Sequence, residues 1–221
     1  MPSATSAQFW RRRAGVRRRS PRIARCCSAS RDAAIYHNLG NALGGQGLVG
    51  EAACEFRRAL QIKPDFREAH SSLLLTLHYA ADVGARSLFA EHRQWDEVHA
   101  RPFVKHIAQH GNDRTPERRL RIGYVSSDFR EHAVARFIEG LLAAHDRKNV
   151  EVFCFADSLR EDAYTARLRG YADQWRQICR MDDARVAELI RGDGMDILVD
   201  LAGHTGGNRL LVFARKPARC R

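Results

Sequence analysis

Three short apolar runs, each passing into a polar loop and two of them framed by helical patterns, restrict this chain more than any other feature. They are Leu120-Arg121-Ile122-Gly123-Tyr124-Val125, Val150-Glu151-Val152-Phe153-Cys154-Phe155 and Asp196-Ile197-Leu198-Val199-Asp200-Leu201. Runs of this length, rich in β-branched and aromatic residues, read as buried strands. From His132 onward Ala135, Ile138, Leu141 and Leu142 recur at helical spacing. Residues 162–171 form a second helical pattern with Asp162 as N-cap. Residues 186–191 form a third, begun by Asp182 or Asp183 and stopped by Gly192 and Gly194. Residues 174–178 read as a short edge strand. Strands alternating with helices at this spacing imply right-handed crossovers and a parallel sheet.

Open parallel sheets bind ligands where strands run into loops at helix entrances, because loop groups and helix N–H donors converge there. Two such loops stand out. Ser126-Ser127-Asp128 follows the first strand and leads to His132; Ala202-Gly203-His204-Thr205-Gly206-Gly207-Asn208 follows the last, before a helix start at Arg209-Leu210-Leu211. Glycines at a strand's carboxyl end let backbone approach a ligand, though the same loop also reads as a plain tight turn. G-x-G-x-x-G follows none of the strands, and G-x-x-x-x-G-K-[ST] is absent. His132 is a candidate for taking a proton, since imidazole exchanges one near neutral pH; the alternative is that it caps the helix entrance. Asp128 is expected to shape the loop or cap the helix, and Asn208 and Arg209 are weaker candidates for ligand contact.

Upstream the texture is different. Tyr36-x2-Leu39-Gly40-x2-Leu43, then Ala52-x3-Phe56-x2-Ala59 and Pro64, match the tetratricopeptide pattern in spacing and in residue type. Gly40, Ala52 and Ala59 are small where helices approach, residues 44–47 hold the turn, and Pro64 punctuates the next helix. His70, Leu73 and Leu77 repeat Tyr36, Leu39 and Leu43 thirty-four residues later, and the pattern fades after Tyr79. Residues 88–98 suggest a further helix with Leu88, Trp95 and Val98 on one side. Residues 111–116 mark a linker.

The 221 residues carry a net charge of +11, which first suggests a polyanion or membrane-surface partner. Its distribution removes that inference. Residues 1–31 hold nine arginines and no Asp or Glu, which leaves +2 for the remainder. That tail reads as a transit-peptide composition, a disordered basic arm, or sequence that is not native coding sequence, the last being favoured. No run approaches the roughly 20 apolar residues of a membrane span. Six scattered cysteines lack C-x-x-C spacing, so no metal or disulfide is expected and a reducing cytoplasm fits; Cys54 and Cys154 are expected to be packed thiols. His92, His99, His106 and His110, at sevens and fours, are expected to be solvated rather than metal ligands.

Repeats, then LRIGYVSSDFREHAVARF, VEVFCF, DGMDILVDLAGHTGGNRL and FARKPA, in that order from Ala33 to about Ala218, resemble one family. It is the bacterial and plant (SPINDLY-like) branch of the protein O-GlcNAc transferases. The resemblance implies a fold of α plus α/β type: tetratricopeptide hairpins over residues 32–80, a helical linker over 81–116, and a partial Rossmann-like first lobe of a GT-B glycosyltransferase over 117–221. It implies an inverting transfer of a sugar, N-acetylglucosamine ahead of fucose, from a nucleotide sugar (UDP-N-acetylglucosamine first) to Ser or Thr of proteins, without metal or other cofactor. His132 falls on the family's first-lobe histidine facing the acceptor; Gly203, His204 and Thr205 fall on the loop bordering sugar and acceptor. Protein or peptide substrates are expected through the repeats, with no nucleic-acid or membrane partner. Family members continue into a second lobe, so the chain reads as a fragment, weak or inactive alone. The alternative is a non-catalytic tetratricopeptide module that recruits a partner.

Overall fold

The structure, a computed structural model, describes residues 32–220; the expectations for residues 1–31 fall outside it. The chain divides into two compact units, Met1–Val98 and His99–Arg221, the division falling within the segment expected to be linker.

The described part of the first unit is helical: α1 (Ala33–Gly45), α2 (Val49–Ile62), α3 (Arg67–Leu77) and α4 (Ala85–Trp95). Asp32 starts α1 by accepting from the Ala34 N–H at 2.9 Å, relieving one donor that the first turn cannot use. α1 ends at Gln46, and Gly47 turns the chain with φ of 76°, a value glycine adopts freely. Helix approach at Gly40 is close: a Cβ there would lie 2.6 Å from the Phe56 ring. Ala59, fully buried, packs with Ala33, Tyr36 and Ala69, while Leu43, Ala52, Phe56, Leu73 and Leu77 form the neighbouring cluster. α3 thus presents Leu73 and Leu77 as the second copy of the pattern requires.

Three expectations are corrected. Val98 is exposed, because the chain widens into a π turn over Asp96–Ala100 and carries it off the Leu88–Trp95 side. Cys54 is exposed: Ala52, Ala53, Phe56 and Ala59 fill one arc of α2, and position 54 points to the other. His99 is buried rather than solvated. His92 is half-buried, with its Nε2 3.1 Å from that of His78.

In the second unit a parallel sheet is built from β1 (Leu120–Ser126), β2 (Val150–Ala156), β3 (Gln174–Gln177) and β4 (Ile197–Asp200), in the order β3-β2-β1-β4. Helices α5 (Ala133–Ala144), α6 (Ala163–Tyr171), α7 (Asp183–Gly192) and the short α8 (Leu210–Ala214) cover it. Side chains alternate along each strand, so one face sends Tyr124, Val152, Cys154 and Ala156 against Ala135, Ile138, Leu142 and Leu168 of α5 and α6. The other sends Val125, Phe153, Phe155 and Leu198 against Val186, Ala187 and Ile190 of α7. Burial on both faces explains why the strands read as continuous apolar runs. Gly123 is small because a Cβ would lie 2.8 Å from Phe155 and 2.9 Å from Leu198. β3 is the edge strand its short run implied, and Asp162 caps α6 in a reciprocal pair with Thr165.

The segment before β1 is tied to the sheet by one carboxylate. Asp196 accepts from Asn112 Nδ2 at 2.8 Å, Arg118 at 2.6 Å and the Arg121 N–H at 3.0 Å. Burial alone would raise this carboxyl, but these donors outweigh it and hold the pKa at about 2.

Candidate functional site

The chain leaves β3 at one edge and re-enters the sheet as β4 on the far side of β1. Consecutive crossovers therefore diverge between β1 and β4, and the loops at their carboxyl ends flank a crevice. One is the Ser126–His132 loop, the other the glycine loop after Asp200. They touch: a Cβ on Gly207 would stand 2.9 Å from Ser127 Oγ and 3.1 Å from Ser127 Cβ, and Gly207 has φ of 74°. Two independent demands, space and backbone conformation, thus fall on one glycine.

The first loop is held from below and from the side. Ser126, buried, accepts the Asp128 N–H on its hydroxyl at 2.9 Å, and its carbonyl accepts the Asp157 N–H at 2.9 Å. The Phe129 carbonyl accepts from Thr165 Oγ1 at 2.7 Å, and the Glu131 N–H donates to Asp162 at 2.6 Å. With both flanks pinned, His132 arrives at the entrance of α5 as its N-cap, its side chain 41% exposed. Nδ1 accepts from the Val134 N–H at 3.3 Å and lies 3.7 Å from Asp128 Oδ2. Asp128 is itself ion-paired with Arg130 at 3.0 Å, which gives it the loop-shaping role its position implied. A ring whose Nδ1 accepts carries its proton on Nε2, so in this geometry the exposed nitrogen of neutral His132 is a donor.

The glycine loop is organised by Asp200. Its carboxylate accepts from the Gly203 N–H at 2.7 Å and the Ala202 N–H at 3.2 Å; burial nevertheless pushes its pKa above the ordinary carboxylate value. Gly203 adopts φ of 56°, which favours glycine, and exposes its backbone. Thr205 spends its hydroxyl proton on the Ala202 carbonyl at 2.7 Å, leaving only acceptor capacity toward the crevice. His204 is half-buried between them. The two candidate segments, His132 with its loop and Gly203–Thr205 with theirs, are thus brought to the same end of the sheet, in contact through Ser127 and Gly207.

Arg209 does not fit the ligand-contact reading. Its guanidinium grips Asp157 with two bonds of 2.7 and 2.8 Å and Asp183 at 3.0 Å, and those hydrogen bonds raise its pKa further. It is a brace joining the ends of β2 and α7 to the glycine loop. Sequence reasoning missed Asp157 and Asp200 as organisers. An acidic residue at the carboxyl end of each of two buried strands was the available signal; no spacing rule links Asp157 to Arg209. Among the described residues no three His, Cys, Asp or Glu side chains converge into a group that could hold a metal.

Helical repeats are joined in one chain to a Rossmann-type sheet with a two-loop crevice at its switch point, the place where sheets of this class bind ligands. A sequence model described as glycosyl transferase family 41 matches residues 68–221, and the chain belongs to that family. Relatives include the probable UDP-N-acetylglucosamine–peptide N-acetylglucosaminyltransferase SPINDLY of Oryza sativa subsp. japonica, 37% identical over 167 residues (74% of this chain, 18% of the relative). The protein of the same description from Solanum lycopersicum is 39% identical over 166 residues (72% and 17%). A solved structure of a mutant Thermobaculum terrenum O-GlcNAc transferase aligns at a TM-score of 0.82 and 40% identity, covering 89% of this chain and 38% of that one. The chain therefore spans a little under a fifth of the length of these plant relatives.

Proposed function

We propose that this chain supplies the repeat-bearing, acceptor-side part of a protein O-glycosyltransferase that moves N-acetylglucosamine from its UDP donor to Ser or Thr hydroxyls with inversion. The observation that carries the reading is the pair of loops at the β1–β4 switch point, His132 at a helix entrance on one and Gly203-His204-Thr205 on the other, in a family 41 chain. The relatives' names supply the donor and the peptide acceptor.

In this reading the exposed backbone of Gly203 and the acceptor oxygen of Thr205 line the acceptor, with His204 beside them. His132 acts on the proton of the attacking hydroxyl. To accept that proton at Nε2, its ring must carry the other proton on Nδ1, facing Asp128; the 3.7 Å separation shortens to a hydrogen bond when the Val134 contact is released. The proton moves from hydroxyl to Nε2, the oxygen bonds to the anomeric carbon from the face opposite the diphosphate, and the diphosphate leaves with the bonding pair. No metal step is invoked. The helical unit engages protein substrates, and a reducing cytoplasm suits the free thiols.

We further propose that these 221 residues transfer sugar weakly by themselves, since charge building on a departing diphosphate requires donors aimed at it. Labelled UDP-N-acetylglucosamine, UDP-sugar analogues and GDP-fucose, incubated with acceptor peptide, test both statements. Turnover by this chain overturns the second alone. The same segment exchanged for its counterpart in the Thermobaculum terrenum relative tests the first: an active chimera supports it. A folded chimera that neither binds donor nor transfers, while the helical unit still binds peptide, favours a non-catalytic recruiting module instead.

A further inference from the structure

At the amino ends of β1 and β2, the opposite end of the sheet from the crevice, lies a cavity of about 520 Å³. Four arginines line it, Arg118, Arg119, Arg121 and Arg191, against two acidic residues, Asp113 and Glu151. Their pairing is uneven. Arg118 is taken by Asp196 and Arg121 by Glu151 at 3.0 Å. Arg119 donates to the Val150 carbonyl at 2.9 Å, and the nearest acid recorded for it, Asp173 at 3.7 Å, is held more closely by Arg147 at 2.7 Å. Asp193, beside Arg191 in sequence, is engaged by Arg176. Arg191 reaches only the Arg215 carbonyl, at 3.5 Å, and its Nε is buried without a hydrogen-bond partner among the described residues.

A buried guanidinium N–H without an acceptor is costly, and such an atom calls for an unseen water or ion. Arg191, the residue that carries this unsatisfied atom, is also part of a cavity wall whose cations exceed their close carboxylates. Apart from the His110 imidazole the lining residues are polar, charged or glycine, which favours a small hydrophilic ligand over a bulky apolar one. Its volume exceeds that of a bare phosphate and lies within the range of small-ligand sites. Planar guanidinium forks match phosphate oxygens in geometry as well as in charge.

We propose that this cavity binds a small hydrophilic phosphate-bearing anion, held by Arg191 and Arg119 with Arg118 and Arg121 as its fixed walls. The site is separate from the crevice and does not depend on the transferase reading.

Titration calorimetry of the full 221-residue chain with inorganic pyrophosphate and with glucose 6-phosphate, at constant ionic strength set with KCl, tests it. The expected result is saturable one-to-one binding of at least one of them; preference for the sugar phosphate identifies a phosphomonoester ligand, and preference for pyrophosphate an inorganic one. Arg191→Met weakens binding about tenfold or more, as loss of a charged hydrogen-bonding group does. Arg191→Lys restores only part, having no fork, and His132→Ser changes nothing. Should Arg191→Met fail to fold by circular dichroism, Arg119→Met, at an exposed position, carries the same expectation of weakened binding. Absence of saturable binding up to roughly 10 mM, a level weaker than any useful site, overturns the proposal. So does unchanged affinity in the folded arginine variants, or binding lost in His132→Ser.

Discussion

His132 Nδ1 lies between two groups that ask opposite things of it: the Val134 N–H, 3.3 Å away, needs an acceptor, and Asp128 Oδ2, 3.7 Å away, favours a donor. The shorter contact wins in this structure, so the ring caps α5. Capping and proton acceptance at Nε2 are therefore competing states of one side chain. His132→Ser separates them, because serine is a good N-cap and no base. Its unfolding stability should match the parent, whereas His132→Ala should lose about 1 kcal/mol. Transfer in the chimera should fall at least about 100-fold in both. Full transfer by His132→Ser would reduce the histidine to a cap.

Gly207→Ala should cost about 1–2 kcal/mol, from strain at positive φ and from crowding against Ser127. Ser127→Gly in the same chain removes only the crowding, so it should recover part of the loss. Chemical denaturation of the two variants measures this; complete recovery would mean that the backbone angle is relaxed by its neighbours.

Acid stability should report Asp196. Its folded pKa of about 2 lies below the unfolded value of about 4, so its contribution is fully present above pH 4 and is lost as pH falls toward 2. The contribution is about 2 kcal/mol. Asp196→Asn should flatten the stability profile between pH 4 and 2 while lowering stability at neutral pH. A parallel downward shift, unchanged in slope, would remove Asp196 from the acid transition.

In the helical unit Gly40→Ala gains roughly 1 kcal/mol of helix propensity but places a methyl 2.6 Å from the buried Phe56 ring. Overpacking of this kind costs about 1–3 kcal/mol, so the net effect should be destabilising by about 1 kcal/mol. Adding Phe56→Leu should make the alanine favourable relative to its own glycine background, read by a thermal double-mutant cycle.

Thiol labelling should divide the cysteines by burial. Burial pushes the Cys154 thiol up to about 12, whereas Cys54 is exposed. Peptide mapping after brief native labelling should find Cys54 modified and Cys154 untouched until the chain unfolds; native modification of Cys154 would indicate local opening of β2.

The β/α alternation was legible because the strands β1, β2 and β4 send apolar residues to both faces and the helices pack on one, so periodicity carries the information. The repeat pattern was legible for a similar reason: Gly40, Ala52 and Ala59 are small where backbones meet. Cys54, Val98 and His99 were misjudged where a side chain's direction depends on a helix's full packing arc or on a local π turn. Arg209 was misjudged because a guanidinium's partners come from wherever the sheet delivers them.

Residue order by itself determined the strands, the helical patterns with the cap at Asp162, and the candidacy of His132 and the Gly203 loop, because each depends on neighbours within a few positions. Only the tertiary structure decided that β4 lies beside β1, that Ser127 therefore meets Gly207, and that Asp157, fifty-two residues from Arg209, braces the loop. Strand order is set by the combined burial of both faces of a sheet. No local pattern records that quantity.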